Sequence, residues 1–262
     1  MKVDLNGDSV YCYTNSKDID PDRPSVMFIH GSGMDHTVWT LACRHFARHG
    51  NNVIGVDLPG HGRSMGSPLA SVEDMASWLV SLMDQLAIGE AALVGHSLGS
   101  LIALDCAARF PERVRALAMV GTTAPMPVSD AILDAAKANE HSAFDMLTQW
   151  GFSKRHQFGG NRNSGIWMVG NTLRLYERSA DGVLFHDMAA CNNYQVGLEN
   201  AARVTCPVLM LLGNEDRLTP VRGTRQLVAA FDSPTIEILE GAGHTIMMEA
   251  PNAMLDALHR VL

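Results

Sequence analysis

The chain has little that would place it in a membrane or on nucleic acid. No apolar run approaches the ~18–20 residues that a spanning helix needs, and the opening MKVDLNGDSVYCY is too polar for a secretory leader. A soluble, cytoplasmic protein without a membrane partner is the expectation. Cysteine is scarce and scattered: Cys12, Cys43, Cys106, Cys191 and Cys206 are odd in number, far apart and in no CxxC pair. Such a set argues against a disulfide framework and against a thiolate zinc site. Charge is sparse as well, at 18% of residues, and its balance of 28 acidic against 20 basic side chains leaves −8. With no Lys/Arg cluster to neutralise phosphates, a nucleic-acid partner is argued against.

What the chain does carry is apolar mass, 47% of its 262 residues, enough for a sizeable core. Short apolar, β-branched runs at 26–29, 53–56, 92–94, 116–120, 208–212 and 236–239 alternate with longer amphipathic stretches. That alternation predicts parallel strands joined by crossover helices, with helices on both faces because most runs are uniformly apolar. Ahead of them, Asn6-Gly7 between two short runs predicts an antiparallel edge hairpin over 3–13. Ser71 with Asp74 opens a helix to about residue 86, and Pro111 closes one that begins near Leu98. Thr219-Pro220 reads as an N-cap and first-turn pair for a helix to about residue 231.

The alternation stops between residues 124 and 200. No strand pattern is present there, while Met and aromatic side chains accumulate, among them Met126, Trp150, Phe158, Trp167, Tyr176 and Met188. The fold class is therefore α/β, a mostly parallel twisted sheet of about eight strands flanked by helices, with a helical cap inserted after the sixth strand. Residues 1–123 and 201–262 would form the core and 124–200 the cap. Placed at the C-terminal edge of the sheet, the cap would roof a pocket and exclude water. Its methionines suggest an adaptable apolar lining.

One constellation carries chemistry. The strand at 92–94 runs directly into Gly95-His96-Ser97-Leu98-Gly99 and a helix follows at once, the setting of a nucleophile elbow that exposes the Ser97 hydroxyl. A serine needs a base, and the base an orienting acid. Eleven histidines leave composition unable to choose, but in sheets with such an elbow the partners follow in the order Ser, Asp or Glu, His. Gly213-Asn214-Glu215-Asp216 follows the strand at 208–212, and Gly241-Ala242-Gly243-His244 follows the strand at 236–239. His244 is thus the expected base and Asp216 the acid, with Glu215 its rival. No carboxylate ends the strand at 116–120, where Gly121-Thr122-Thr123 follows. The oxyanion donors would be the backbone N–H of Leu98 and that of Ser32 in His30-Gly31-Ser32-Gly33, with Gly33 as the rival.

With these pieces and Asp57-Leu58-Pro59-Gly60-His61-Gly62-Arg63-Ser64 the sequence resembles a cap-bearing α/β-hydrolase over nearly its whole length. The resemblance implies an acyl-enzyme mechanism on a small-molecule ester: Ser97 attacks, His244 relays the proton, Asp216 orients the ring, and water releases the acid. It also implies that Asp57, His61 and Arg63 form a turn scaffold. Trp39 is expected to pack behind the oxyanion loop and His30 to be a hydrogen-bonding group in it. Ser97 argues against dehalogenases and epoxide hydrolases, which use Asp. Carboxylic ester hydrolysis is the first reading. Lactonases and C–C hydrolases acting on acidic metabolites share the triad, although Thr245 stands where the latter usually carry Trp; a non-enzymatic ligand receptor is the alternative from another class. No metal is expected, because neither H-x-H-x-D nor H-E-x-x-H occurs, and no dinucleotide cofactor, because no strand is followed by G-x-G-x-x-G. An apolar roof would favour uncharged substrates unless Arg155, Arg162, Arg174 or Arg178 reached into the pocket.

Overall fold

The computed structural model describes residues 1–160 and 166–262. Among the described residues, the strands are β1 (Lys2–Leu5), β2 (Asp8–Tyr13), β3 (Ser25–Ile29), β4 (Asn52–Val56), β5 (Ala91–His96), β6 (Val114–Val120), β7 (Val208–Gly213) and β8 (Thr235–Leu239). They form one sheet in the order β1-β2-β4-β3-β5-β6-β7-β8, and every pairing from β4 to β8 is parallel. β1 and β2 are the expected antiparallel hairpin at one edge, turning at Asn6 and Gly7 with φ of 58° and 92°. Positive φ at both residues gives the turn the hand that suits twisted strands.

The helices are α1 (Thr40–Arg48), α2 (Val72–Gln85), α3 (Leu98–Arg109), α4 (Asp130–Lys137), α5 (His141–Gly151), α6 (Lys154–Gln157), α7 (Met168–Glu177), α8 (Val183–Asn193), α9 (Gly197–Ala201), α10 (Arg225–Ala230), α11 (Ile246–Glu249) and α12 (Pro251–Leu258). None is long and apolar enough to cross a membrane. The central strands are apolar on both faces because each face has its own core. Met27, Leu93, Leu117 and Met210 point into one, with side chains of α2, α3 and α10; Phe28, Val94, Ala118 and Leu209 point into the other, with α1 and α12. The two-residue period of a strand makes that division. At the far edge β8 departs from the pattern: Ile236 and Ile238 are 43% and 46% exposed, so its outer side has no covering layer.

Local signals explain most boundaries. The Ser71 hydroxyl accepts the Asp74 N–H (3.1 Å) and donates to the Asp74 carboxylate (2.7 Å), closing the N-terminus of α2. The reading of Thr219-Pro220 as an N-cap pair is corrected. After Pro220 the chain makes a 3-10 turn over Val221–Thr224 before α10 begins, and the Thr219 hydroxyl is engaged elsewhere. Helices α4 to α9 lie between β6 and β7, which is the inserted helical region. Two of its helices are fastened to the sheet's loops: Asp187 of α8 accepts the Gly33 N–H, and the Gly151 carbonyl at the end of α5 accepts the His244 N–H (2.7 Å).

Candidate active site

β5 ends in a sharp turn. Ser97 sits at φ 52°, ψ −117°, between the strand and α3, a conformation side chains rarely adopt. The flanking glycines make it possible. A Cβ on Gly95 would lie 2.2 Å from the Gly99 carbonyl oxygen, and a Cβ on Gly99 2.3 Å from that of Ile29 at the end of β3. The Ser97 N–H is tied to the Val120 carbonyl (2.9 Å) and the Ser100 hydroxyl to the Gly95 carbonyl (2.6 Å), so both arms of the turn are fixed.

The loops after β7 and β8 bring Asp216 and His244 together. His244 Nδ1 lies 2.9 Å from Asp216 Oδ2, and both side chains are buried. The other carboxylate oxygen accepts the N–H groups of Leu218 and Thr219, each at 2.8 Å, and the Thr219 hydroxyl donates to Oδ2 at 2.6 Å. Burial alone would raise the Asp216 pKa, yet the neighbouring His244 ring and these donors bring it down to about 2. Asp216 is therefore an anion fixed on the Nδ1 side of the imidazole. Glu215 points away, exposed, and accepts the Lys154 N–H (3.3 Å). Thr219 is the participant that sequence reasoning missed; its signal was masked by the Pro that follows it.

Ser32, Ser97 and His244 line one cavity of about 180 Å³. In the loop after β3 the Gly33 N–H donates to Asp187 (2.8 Å) and the Met34 N–H to the Gly31 carbonyl (3.1 Å). The Ser32 N–H between them has no hydrogen bond among the described residues. Leu98 opens α3, so its N–H has no intrahelical acceptor. His30 is a loop strut: its Nδ1–H donates to the Gly31 carbonyl (2.9 Å), its Nε2 accepts the Leu58 N–H (3.2 Å), and burial and nearby His61 push its pKa down to about 4. Trp39 is fully buried against Phe28, its ring 5.4 Å away, and does not line the cavity. Asp57 accepts the N–H groups of His36 (2.7 Å) and Arg63 (2.9 Å), which is turn scaffolding.

The roof comes from the inserted region, Met126 from the segment before α4 and Ile132, Leu147, Trp150, Tyr176 and Met188 from its helices. Phe158 and Trp167 face out, 89% and 65% exposed. Three of the arginines named as exceptions to an uncharged pocket do not line it: Arg155 bonds the Gly160 carbonyl, Arg174 pairs with Glu177 and Arg178 with Asp35. Arg162 lies outside the described residues. Arg217, beside Asp216, is instead the one Arg or Lys that lines the cavity among the described residues, its guanidinium also donating to the Gln149 carbonyl of α5.

A model of the alpha/beta hydrolase family matches residues 26–257, and the chain belongs to that family. Among curated proteins it is similar to an (E)-2-((N-methylformamido)methylene)succinate hydrolase of Acinetobacter baylyi, 24% identical over 240 residues that cover 89% of this chain and 88% of that one. Among solved structures it resembles the enol-lactonase from Burkholderia xenovorans (TM-score 0.87, 18% identity, covering 100% and 99% of the two chains) and a thermophilic esterase (TM-score 0.80, 26% identity, 99% and 95%). The protein is thus a hydrolase-family protein with this fold.

The contact between α8 and the loops after β3 and β4 has a pH-dependent consequence. His61 Nδ1 faces the Pro59 carbonyl (2.9 Å) and Nε2 faces Asp187 (2.9 Å), so both nitrogens meet acceptors, the arrangement of an imidazolium. Burial opposes the charge, but Asp187 outweighs it and the His61 pKa is raised. A raised pKa contributes stability that is complete below the unfolded value, about 6.5, and is lost as pH rises through the folded value. Asp187→Asn should lower the unfolding free energy by about 3 kcal/mol at pH 6 in urea titrations, and the deficit should shrink at alkaline pH. A deficit independent of pH would mean that His61 is neutral in the fold.

Proposed function

We propose that the protein is a serine hydrolase of small carboxylic esters, cyclic esters (lactones) included, acting through an acyl-enzyme. The observation that carries this reading is the His244 ring held at 2.9 Å by buried, ionised Asp216 in the cavity that also holds Ser97 at its strained turn. Asp216 fixes the proton on Nδ1, which leaves Nε2 to take the Ser97 proton as Oγ adds to the substrate carbonyl. The carbonyl oxygen becomes an alkoxide, and the N–H groups of Ser32 and Leu98 stabilise it. Gly33 is the weaker candidate as donor because its N–H is already given to Asp187. The tetrahedral intermediate collapses, the leaving alcohol takes the proton from His244, and water repeats the sequence on the acyl-enzyme to release the acid.

Ser97→Ala should abolish hydrolysis across a panel of aryl esters and lactones. Asp216→Asn should lower kcat by roughly 10⁴, as in the serine-protease precedent, while Glu215→Gln changes it little. Activity retained by Ser97→Ala would overturn the nucleophile, and binding without any product release by the parent protein would favour a receptor.

Arg217 refines the substrate. Among the described residues the apolar cavity has one cation, Arg217, whose bond to the neutral Gln149 carbonyl leaves its charge uncompensated; this suits a substrate whose reacting end is apolar and whose other end carries a carboxylate, and the Acinetobacter baylyi relative is named for a succinate derivative. This replaces the expectation of uncharged substrates. Because Arg217 is exposed, the contribution is modest, about fivefold at most. In a matched pair of a neutral ester and its carboxylate-bearing analogue, kcat/KM should favour the anion, and Arg217→Gln should erase the preference. A parent protein that favours the neutral ester would contradict it.

A further inference from the structure

On the surface away from the cavity, three histidines meet. His45 and His49 stand one turn apart at the end of α1, and His259 directly follows α12, which packs against α1. Each offers one ring nitrogen within 4.8 Å of the other two. His45 Nε2 and His259 Nε2 face each other at 2.5 Å, and ring centroids are 4.3 to 5.0 Å apart across the trio. The His49 Nδ1–H donates to the His45 carbonyl (2.7 Å), which leaves its Nε2 with a free lone pair. That is the support metal-ligating histidines commonly have, since the bond made by one nitrogen fixes the role of the other.

We propose that His45, His49 and His259 form a surface site for a divalent transition metal, zinc being the best fit, that clasps α1 to α12. Three imidazoles without a thiolate suit zinc, nickel or copper rather than magnesium or calcium, which prefer oxygen. Zinc accepts three nitrogens with a fourth place for water, and the cluster is half-buried to exposed, so the ion has an entry path. Zn–N bonds of about 2.0–2.1 Å require the facing nitrogens to separate, a small ring rotation for exposed side chains. The clasp joins two segments that continue from the working loops. α1 follows the oxyanion loop through the turn His36–Trp39, and α12 follows the His244 loop through α11. No spacing motif announces the site, because its third member lies 214 residues from its first.

The test is titration of the intact protein with zinc, followed by calorimetry and thermal melting, with cobalt as a visible-absorption probe. One ion per chain should bind, and Tm should rise by about 5 °C at ~100 times Kd. Cobalt should give d–d bands of a nitrogen-ligated, low-coordinate site. His259→Gln is the decisive variant, because His45 and His49 alone make a weaker pair: Kd should rise at least tenfold and, at the same zinc concentration, the Tm shift should fall to about half or less. Ester hydrolysis by metal-free His259→Gln should match that of the metal-free parent, which reports that the variant is folded. Absence of saturable binding, or equal affinity in parent and His259→Gln, would overturn the proposal.

Discussion

Crowding at the end of β5 governs the rest of the architecture. Ser97 occupies a positive-φ conformation that costs about 1–3 kcal/mol for a residue with a side chain, and it persists because the surroundings permit nothing else. Gly95 and Gly99 admit backbone atoms to within 2.2 and 2.3 Å of where their Cβ atoms would be, so α3 can begin directly against the carbonyls of β3. The same close approach puts the loop after β3 beside Ser97. A Cβ on Gly31 would lie 2.6 Å from His96 Nδ1 and 3.3 Å from Ser97 Cβ. The Ser97 turn and the loop after β3 are therefore one packed unit.

The inserted helices are more than a roof over that unit. Asp187 from α8 holds the Gly33 N–H, and Glu249 behind His244 accepts the Ser153 N–H (3.0 Å), the His156 ring (2.9 Å) and the Thr245 hydroxyl (3.0 Å). Each half of the proposed machinery thus has a hydrogen-bonded tie to the insertion. Asp187 engages the Gly33 N–H, so of the two neighbouring amides only that of Ser32 is without a hydrogen bond among the described residues.

Much of this was legible in the sequence wherever the signal is local. The apolar runs marked the central strands, Asn6-Gly7 marked the hairpin, and G-x-S-x-G between strand and helix marked the strained turn. Asp216 and His244 could be paired as candidates because each lies in the loop that follows a strand. What local reading could not supply were pairings across distance. Asp187 meets a loop 154 residues away, and His45 meets His259 only because α12 folds back on α1. Thr219 looked like a helix cap because Thr-Pro usually is one, but the Asp216 carboxylate lies nearer than any helix N-terminus to be capped. The arginines of the insertion were plausible pocket cations by position. In the fold Arg174 and Arg178 are paired with carboxylates, and Arg217, overlooked because it adjoins the acid, lines the cavity.

The central claim is the assembly of Ser97, His244 and the Ser32–Leu98 donor pair into one reacting site. The most direct measurement is a crystal structure of the protein after inactivation by an alkyl phosphonate, whose tetrahedral phosphorus stands in for the reacting carbon. The account predicts phosphorus bonded to Ser97 Oγ, with the phosphonyl oxygen about 2.7–3.1 Å from the backbone nitrogens of Ser32 and Leu98 and Gly33 still bound to Asp187. Phosphorus on another residue, or an oxygen held by the Gly33 N–H after it has left Asp187, would contradict it.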